Sequence, residues 1–327
     1  MTQPCTTLHP GIAIPPVNRV TGNRWWIYQK ERFPLATHAV AIVAFSFAAV
    51  GYSTLARSSS SLPGWRGVFV AFSTSFLFFL QLRLADEFKD FEEDCRYRPY
   101  RPVPRGLIQL RELAVLLAGC VVLQLLLALW LAKRLIPFLV VVWFYLLLMS
   151  HEFFVRNWLK RHAIAYLVTH MVIMPLIFLF ASACDWAVAG YSVAPRGLLW
   201  MAAANFFNGM VIEFGRKIRA PENEEDGVET YSLLWGRRKA VLAWLGAMAA
   251  TTIVALVAAR AIHFSVVVAA SMLGMLLISA ATGSAFLSRN QPGREKWIEA
   301  VSAVWTLAVY LSLGVVPVLL RHYGGRL

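Results

Sequence analysis

An all-α, polytopic membrane protein is the fold class this sequence predicts, and three observations predict it. Of its 327 residues, 58% are hydrophobic and only 15% are charged, whereas soluble domains run at roughly half apolar and a quarter charged. Apolar runs of about 20 residues, the length that crosses a bilayer as a helix, recur along the whole chain. No sustained alternation of the kind that builds a membrane β-barrel interrupts them. The mean hydropathy of +0.59 agrees.

Taken in order, residues 1–33 are expected to form a leader and an interfacial segment, and 34–327 a single helical domain around a central cavity. Residues 1–22 are rich in Pro, Thr and Gly, which suits a flexible leader, and residues 1–33 are polar with no apolar stretch of signal-peptide type. The run Arg24-Trp25-Trp26-Ile27-Tyr28-Gln29-Lys30-Glu31-Arg32-Phe33 mixes aromatics with cations, as a segment lying at the membrane surface does. About nine spans follow, at 35–56, 66–85, 110–132, 135–154, 162–182, 196–214, 239–259, 262–287 and 298–320. Polar, Pro or Gly-containing loops separate most of them. The seventh and eighth meet at Arg260-Ala261, which predicts a tight antiparallel hairpin.

Lys and Arg set the orientation. With the N-terminus inside, the leader and the loops after spans 2, 4, 6 and 8 carry 22 of the 31 cations; the opposite loops and the C-terminus carry eight. This bias predicts a multi-pass protein, in the plasma (inner) membrane, with a cytoplasmic N-terminus and an external C-terminus. It also accounts for the net charge of +13 without a nucleic-acid partner. The cysteines Cys5, Cys95, Cys120 and Cys184 have no metal-ligand spacing and are expected to be free thiols.

The acidic residues are distributed very unevenly. Asp86, Glu87, Asp90, Glu92, Glu93 and Asp94 follow the second span, and Glu213, Glu222, Glu224, Glu225, Asp226 and Glu229 follow the sixth; together they are 12 of the 18 acids. On the predicted orientation both clusters are cytoplasmic. On a continuous helix Asp86, Asp90 and Asp94 would stack along one face and repel unless a cation lay between them. The bland reading, a solvated loop with pairs such as Lys89–Glu93, fits Glu92, Glu93, Glu224 and Glu225. Asp86 and Asp90 sit where the apolar run ends and offer oxygens to one hard cation. Mg²⁺ suits them, because it takes one or two carboxylates and completes its shell with water and phosphate oxygens.

Cations flank the same places: Arg101 after the first cluster, Arg156 and Lys160 between spans 4 and 5, Arg216 and Lys217 beside Glu213. Metal with Arg and Lys holds a diphosphate and makes it a better leaving group. A lipid-phase tail with a diphosphate head is an isoprenyl diphosphate. Its allylic cation needs a dry aromatic cavity, for which the spans offer Phe79, Phe88, Trp143, Phe144, Tyr145, Phe153, Phe154, Phe206 and Phe207.

These features together resemble the UbiA superfamily of intramembrane prenyltransferases. The first motif is similar to that family's NxxxDxxxD, with Leu82, Asp86 and Asp90 at the three positions, followed by Arg101-Pro102-Val103-Pro104-Arg105-Gly106. Leu82 replaces the Asn, and Asp94 adds a carboxylate one turn on. The second motif resembles DxxxDxxxGxx(S/T) in its tail, Gly227-Val228-Glu229-Thr230. Its Asp pair is altered: ungapped counting puts Arg219 and Asn223 there, and a six-residue insertion puts Glu213 and Lys217 there.

The resemblance implies nine helices, a Mg²⁺ cofactor, catalysis through Asp86, Asp90 and Glu213, and metal ligands among Asp86, Asp90, Asp94 and Glu213. It implies diphosphate contacts from Arg101, Lys217, Arg216, Arg156 and Lys160. The expected reaction is prenyl transfer to an aromatic or other lipophilic acceptor, with terpene cyclisation as the alternative. A cation or lipid transporter is the reading from another class. It would place its acids near the bilayer midplane and break helices there, whereas these acids lie at one face.

Overall fold

The computed structural model describes residues 22–59, 62–288 and 293–324. Helix α1 (Arg24–Arg32) precedes α2 (Leu35–Ala56), α3 (Trp65–Lys89), the short α4 (Phe91–Tyr97), α5 (Leu110–Leu131) and α6 (Ile136–Ser150). After them come the short α7 (Arg156–Arg161), then α8 (Ala163–Met171), α9 (Ile173–Trp186), α10 (Leu198–Arg216) and the short α11 (Tyr231–Trp235). The chain closes with α12 (Arg237–Ala261), α13 (Ser265–Ser288), α14 (Glu295–Tyr310) and α15 (Val316–Gly324).

Nine helical stretches among the described residues are long and apolar enough to span a membrane. They match the nine runs read from the sequence. Two of them are broken, and proline explains both. The fifth span is α8 and α9 together: Pro175 has no N–H to give the Met171 carbonyl, and the helix resets at Val172. The ninth is α14 and α15, joined by a π-turn over Leu311–Val315 just before Pro317. The α12–α13 connection is as tight as expected, only Ile262, His263 and Phe264.

Burial sorts the spans into inner and outer. Helices α2 and α10 are the most enclosed, and α5 and α13 the least. Outward side chains such as Val115, Val266 and Leu277 are exposed apolar groups suited to lipid, while Tyr52, Phe78, Phe178, Trp244 and Trp305 fill the interior. Gly67 allows α3 to touch α9, since a Cβ there would lie 2.7 Å from the Cys184 carbonyl oxygen. At that end of the bundle Arg57 and Asp185 form a paired fork, at 2.7 and 2.9 Å, with Ser53 also donating to Asp185 at 2.7 Å.

Cys95 is disulfide-bonded rather than free, while Cys120 and Cys184 are free and buried; Cys5 and most of the predicted leader lie outside the described residues. The fourth span ends at Ser150, short of residue 154, because Glu152, Phe153 and Phe154 all take left-handed backbone angles (φ 48°, 54° and 60°). Three such residues in a row cannot continue a right-handed helix.

Candidate active site

The site is built at the end of the bundle where α3, α6 and α10 terminate. Helix α3 stops at Lys89 with Asp90 as its C-cap (φ −98°, ψ 5°), and α4 starts at Phe91. The break separates the three carboxylates that a continuous helix would have stacked. Asp86 and Asp90 line a cavity of about 970 Å³. Asp94 is buried away from it, held by Arg98 at 3.1 Å and by Arg101 at 2.8 Å, with Arg32 at 3.9 Å.

Glu87 also turns from the cavity, to Arg32 of α1 at 2.6 Å and Arg83 at 3.4 Å. Two further ion pairs, Glu31–Arg105 at 2.9 Å and Arg24–Glu112 at 2.6 Å, dock α1 on the outside of this corner. The first cluster is therefore two-faced: Glu87 and Asp94 serve the fold, while Asp86, Asp90, Glu92 and Glu93 border the cavity.

Helix α10 ends in the same manner. Lys217 is its C-cap and its N–H bonds to the Glu213 carbonyl, as the Asp90 N–H bonds to the Asp86 carbonyl. Glu213 and Lys217 thus occupy in α10 the places of Asp86 and Asp90 in α3, which favours the inserted alignment over Arg219 and Asn223. The Glu213 carboxylate is bound by Arg216 and, at 3.0 Å, by Lys217. Although burial disfavours its charge, Glu213 holds the Lys217 ammonium above the ordinary lysine range.

Aromatic rings seat that ammonium. Lys217 Nζ lies 5.8 Å from the ring centres of both Tyr166 and Tyr231. Lys89, from the first motif, donates to the hydroxyl of the same Tyr166 at 2.9 Å. Tyr166 of α8 is where the two motifs meet. The loop after α10 closes over them: the Tyr231 N–H bonds to the Lys217 carbonyl at 3.0 Å, and Thr230 caps α11 by accepting the Leu233 N–H at 3.1 Å. Gly227, at φ +73°, rests on the face of the Tyr97 ring, where a Cβ would collide.

Of the residues expected from the sequence, Asp86, Asp90, Glu213, Arg101, Arg156, Lys160, Arg216 and Lys217 all border this one cavity. Asp94 does not. Lys160 and, at 3.3 Å, Arg156 pair with Glu93, so α7 is tied to α4. Burial works to raise the Glu93 pKa, but Lys160, Arg156 and Arg98 hold its carboxyl below the usual glutamate range. The expected Lys89–Glu93 pair is replaced by these contacts, because the turn at Asp90 destroys the i,i+4 spacing.

None of the nine aromatics proposed for the cavity borders it; the rings that do are Tyr97, Tyr100, Tyr166 and Tyr231. Phe88, Phe144 and Phe154 face outward. Glu152, hidden within the expected fourth span, lines the cavity and pairs with Arg156 at 3.2 Å. Its signal in the sequence was a lone acid inside an apolar run, which is costly unless used.

No group of three or more His, Cys, Asp or Glu side chains assembles into a metal site among the described residues. Asp86 and Asp90 remain as a pair one turn apart. Asp86 is half-open to the cavity, with Arg83 at 3.8 Å and Lys89 at 3.6 Å. Burial and the neighbouring Asp86, Asp94 and Glu93 charges push the Asp90 carboxyl above the usual aspartate range, against the pull of Lys89. A carboxylate crowded by like charge in a polar cavity favours a bound cation. Two carboxylates with room for phosphate oxygens fit Mg²⁺.

Fold and site together define a multi-pass helical membrane protein with a charged cavity at one end of its bundle. The chain belongs to the UbiA prenyltransferase family, whose sequence pattern matches residues 42–307. No curated protein matches it significantly by sequence. Among solved structures it is similar to a UbiA homologue from Aeropyrum pernix K1, with TM-score 0.63 and 16% identity over 84% of this chain and 96% of that one. A digeranylgeranylglyceryl phosphate synthase gives TM-score 0.60 and 14% identity, over 90% and 99% of the two chains. A UbiA homologue from Archaeoglobus fulgidus, bound to GPP and Mg²⁺, gives TM-score 0.55 and 12% identity, over 89% and 99%.

Proposed function

We propose that this protein ionises an isoprenyl diphosphate, with Mg²⁺ held by Asp86 and Asp90, and transfers the prenyl group to a lipophilic acceptor. One observation carries the reading: two motifs about 120 residues apart deliver Asp86, Asp90, Arg216 and Lys217 to a single cavity at the ends of membrane spans. The Archaeoglobus homologue's GPP and Mg²⁺ support the same ligand class here.

Bound Mg²⁺ would neutralise charge developing on the leaving diphosphate. The chain's own part is to grip that diphosphate. Lys160 and Arg156 turn from Glu93 toward phosphate oxygens, which offer stronger charge than a carboxylate, while Arg216 and Lys217 keep Glu213 and give their remaining N–H donors to the diphosphate. The allylic C–O bond breaks and its electron pair leaves with the diphosphate. The acceptor then supplies an electron pair for the new bond to the prenyl carbon and loses a proton. The Lys and Arg bias of the loops supports a cytoplasmic site in the plasma (inner) membrane.

The test is product analysis. Purified protein is incubated with geranyl, farnesyl or geranylgeranyl diphosphate and Mg²⁺, with and without aromatic acceptors. A prenylated acceptor supports transfer; a cyclic hydrocarbon formed without acceptor replaces transfer by cyclisation. No consumption of any diphosphate under either condition refutes the reading.

A further inference from the structure

We infer that the site works with one Mg²⁺, and that the Lys217 ammonium takes the place of a second divalent ion on the diphosphate. The inference rests on the diphosphate reading above. Asp90 and Lys217 are equivalent caps of α3 and α10, so the two helices present unlike chemistry at matched places: two carboxylates from one, a carboxylate and an ammonium from the other. Lys217 is not a loose surface charge. Glu213 at 3.0 Å and the rings of Tyr166 and Tyr231, each 5.8 Å away, hold it at the cavity wall.

Three acids of the second motif are committed elsewhere. Glu213 is bound by Arg216 and Lys217. Glu224 accepts from Thr230 with both oxygens, at 2.7 and 2.8 Å, and Glu225 accepts from the Tyr100 hydroxyl at 3.2 Å. Asn223, the other candidate for an Asp position, donates to Glu295 at 2.5 Å. An ammonium cannot ligate Mg²⁺, but it can bind phosphate oxygens as a point charge.

Charge balance points the same way. Ten cationic and nine acidic side chains line the cavity, a net of +1. A phosphomonoester carries roughly −1.5 to −2 at neutral pH, so a diphosphate ester carries about −3. One Mg²⁺ brings substrate and lining to neutrality, and a second leaves a surplus of about two positive charges.

Metal stoichiometry tests this without turnover. Purified protein is titrated with Mn²⁺ in the presence of S-geranyl or S-geranylgeranyl thiolodiphosphate, unreactive analogues, and bound Mn²⁺ is counted by electron paramagnetic resonance. One Mn²⁺ per chain is expected. Lys217→Asp is expected to bind two. Lys217→Gln is expected to keep one and to weaken analogue binding roughly 10- to 100-fold, the worth of a charge-assisted hydrogen bond. Two Mn²⁺ in the wild-type protein, or Lys217→Gln binding the analogue as tightly as wild type, overturns the inference and leaves the diphosphate reading standing. No Mn²⁺ bound with either analogue overturns both.

Discussion

The Tyr166 hydroxyl accepts a hydrogen bond from Lys89 at 2.9 Å. That contact joins the fifth span to the last turn of the second, and the other ammonium near the same ring, Lys217, comes from the end of the sixth. A single phenol therefore sets the register between the two motifs.

Tyr166→Phe keeps the ring and removes the hydroxyl. Lys89, only 10% exposed at its side chain, then loses its neutral partner. The expected cost is about 1–2 kcal/mol of stability, the usual result of leaving a buried donor unpaired. The midpoint of denaturant unfolding in detergent checks this, and an unchanged midpoint would mean that Lys89 is satisfied by Asp86 alone.

Asp94 should act as a structural residue where Asp86 and Asp90 do not. Its carboxylate is buried between Arg98 and Arg101. Asp94→Ala leaves these guanidiniums without their counter-charge, which costs about 3 kcal/mol. Asp86→Asn should unfold at the wild-type midpoint. Equal stability of the Asp94 and Asp86 variants would contradict the two-faced description of this motif.

Glu93 gives a pH dependence. Its pKa is lower in the folded protein than in the unfolded chain, held down by Lys160, Arg156 and Arg98. A depressed carboxyl contributes stability that is present above its unfolded pKa and is lost as pH falls through the folded one. The tie between α4 and α7 should thus survive acidification through the ordinary glutamate range. Protection of the amides of residues 156–161, taken relative to the intrinsic exchange rate at each pH, is expected to hold steady across that range and to fall only below it. In Glu93→Gln the same amides should exchange faster at neutral pH, and indifference to this substitution would argue against the tie.

Much of this was legible in the sequence, for identifiable reasons. Apolar length fixes a span almost by itself, so all nine candidate spans fell near their runs, including both that proline breaks. The cavity's acids and cations were legible because charge beside an apolar run is expensive and therefore informative. What failed was direction. The turn at Asp90 is a matter of two backbone angles, and it alone sends Asp94 into the fold and undoes the Lys89–Glu93 spacing. The role of Tyr166 was hidden because one tyrosine in an apolar helix looks like packing until its neighbours from other spans are known. Of the nine aromatics, Phe88, Phe144 and Phe154 face outward for the same reason, since a ring in a membrane helix faces lipid as readily as the interior.

The central claim is that Asp86 and Asp90 make prenyl diphosphate binding depend on Mg²⁺. The most direct measurement is calorimetric titration of geranylgeranyl diphosphate into purified wild-type protein and into Asp86→Asn and Asp90→Asn, each with Mg²⁺ and with EDTA. The account predicts binding by the wild type that is at least about 10-fold tighter with Mg²⁺, a difference of roughly 1.4 kcal/mol. It predicts that this Mg²⁺ effect disappears in both variants while their unfolding midpoints stay unchanged. Wild-type binding that is indifferent to Mg²⁺, or a Mg²⁺ effect that survives both substitutions, would contradict it.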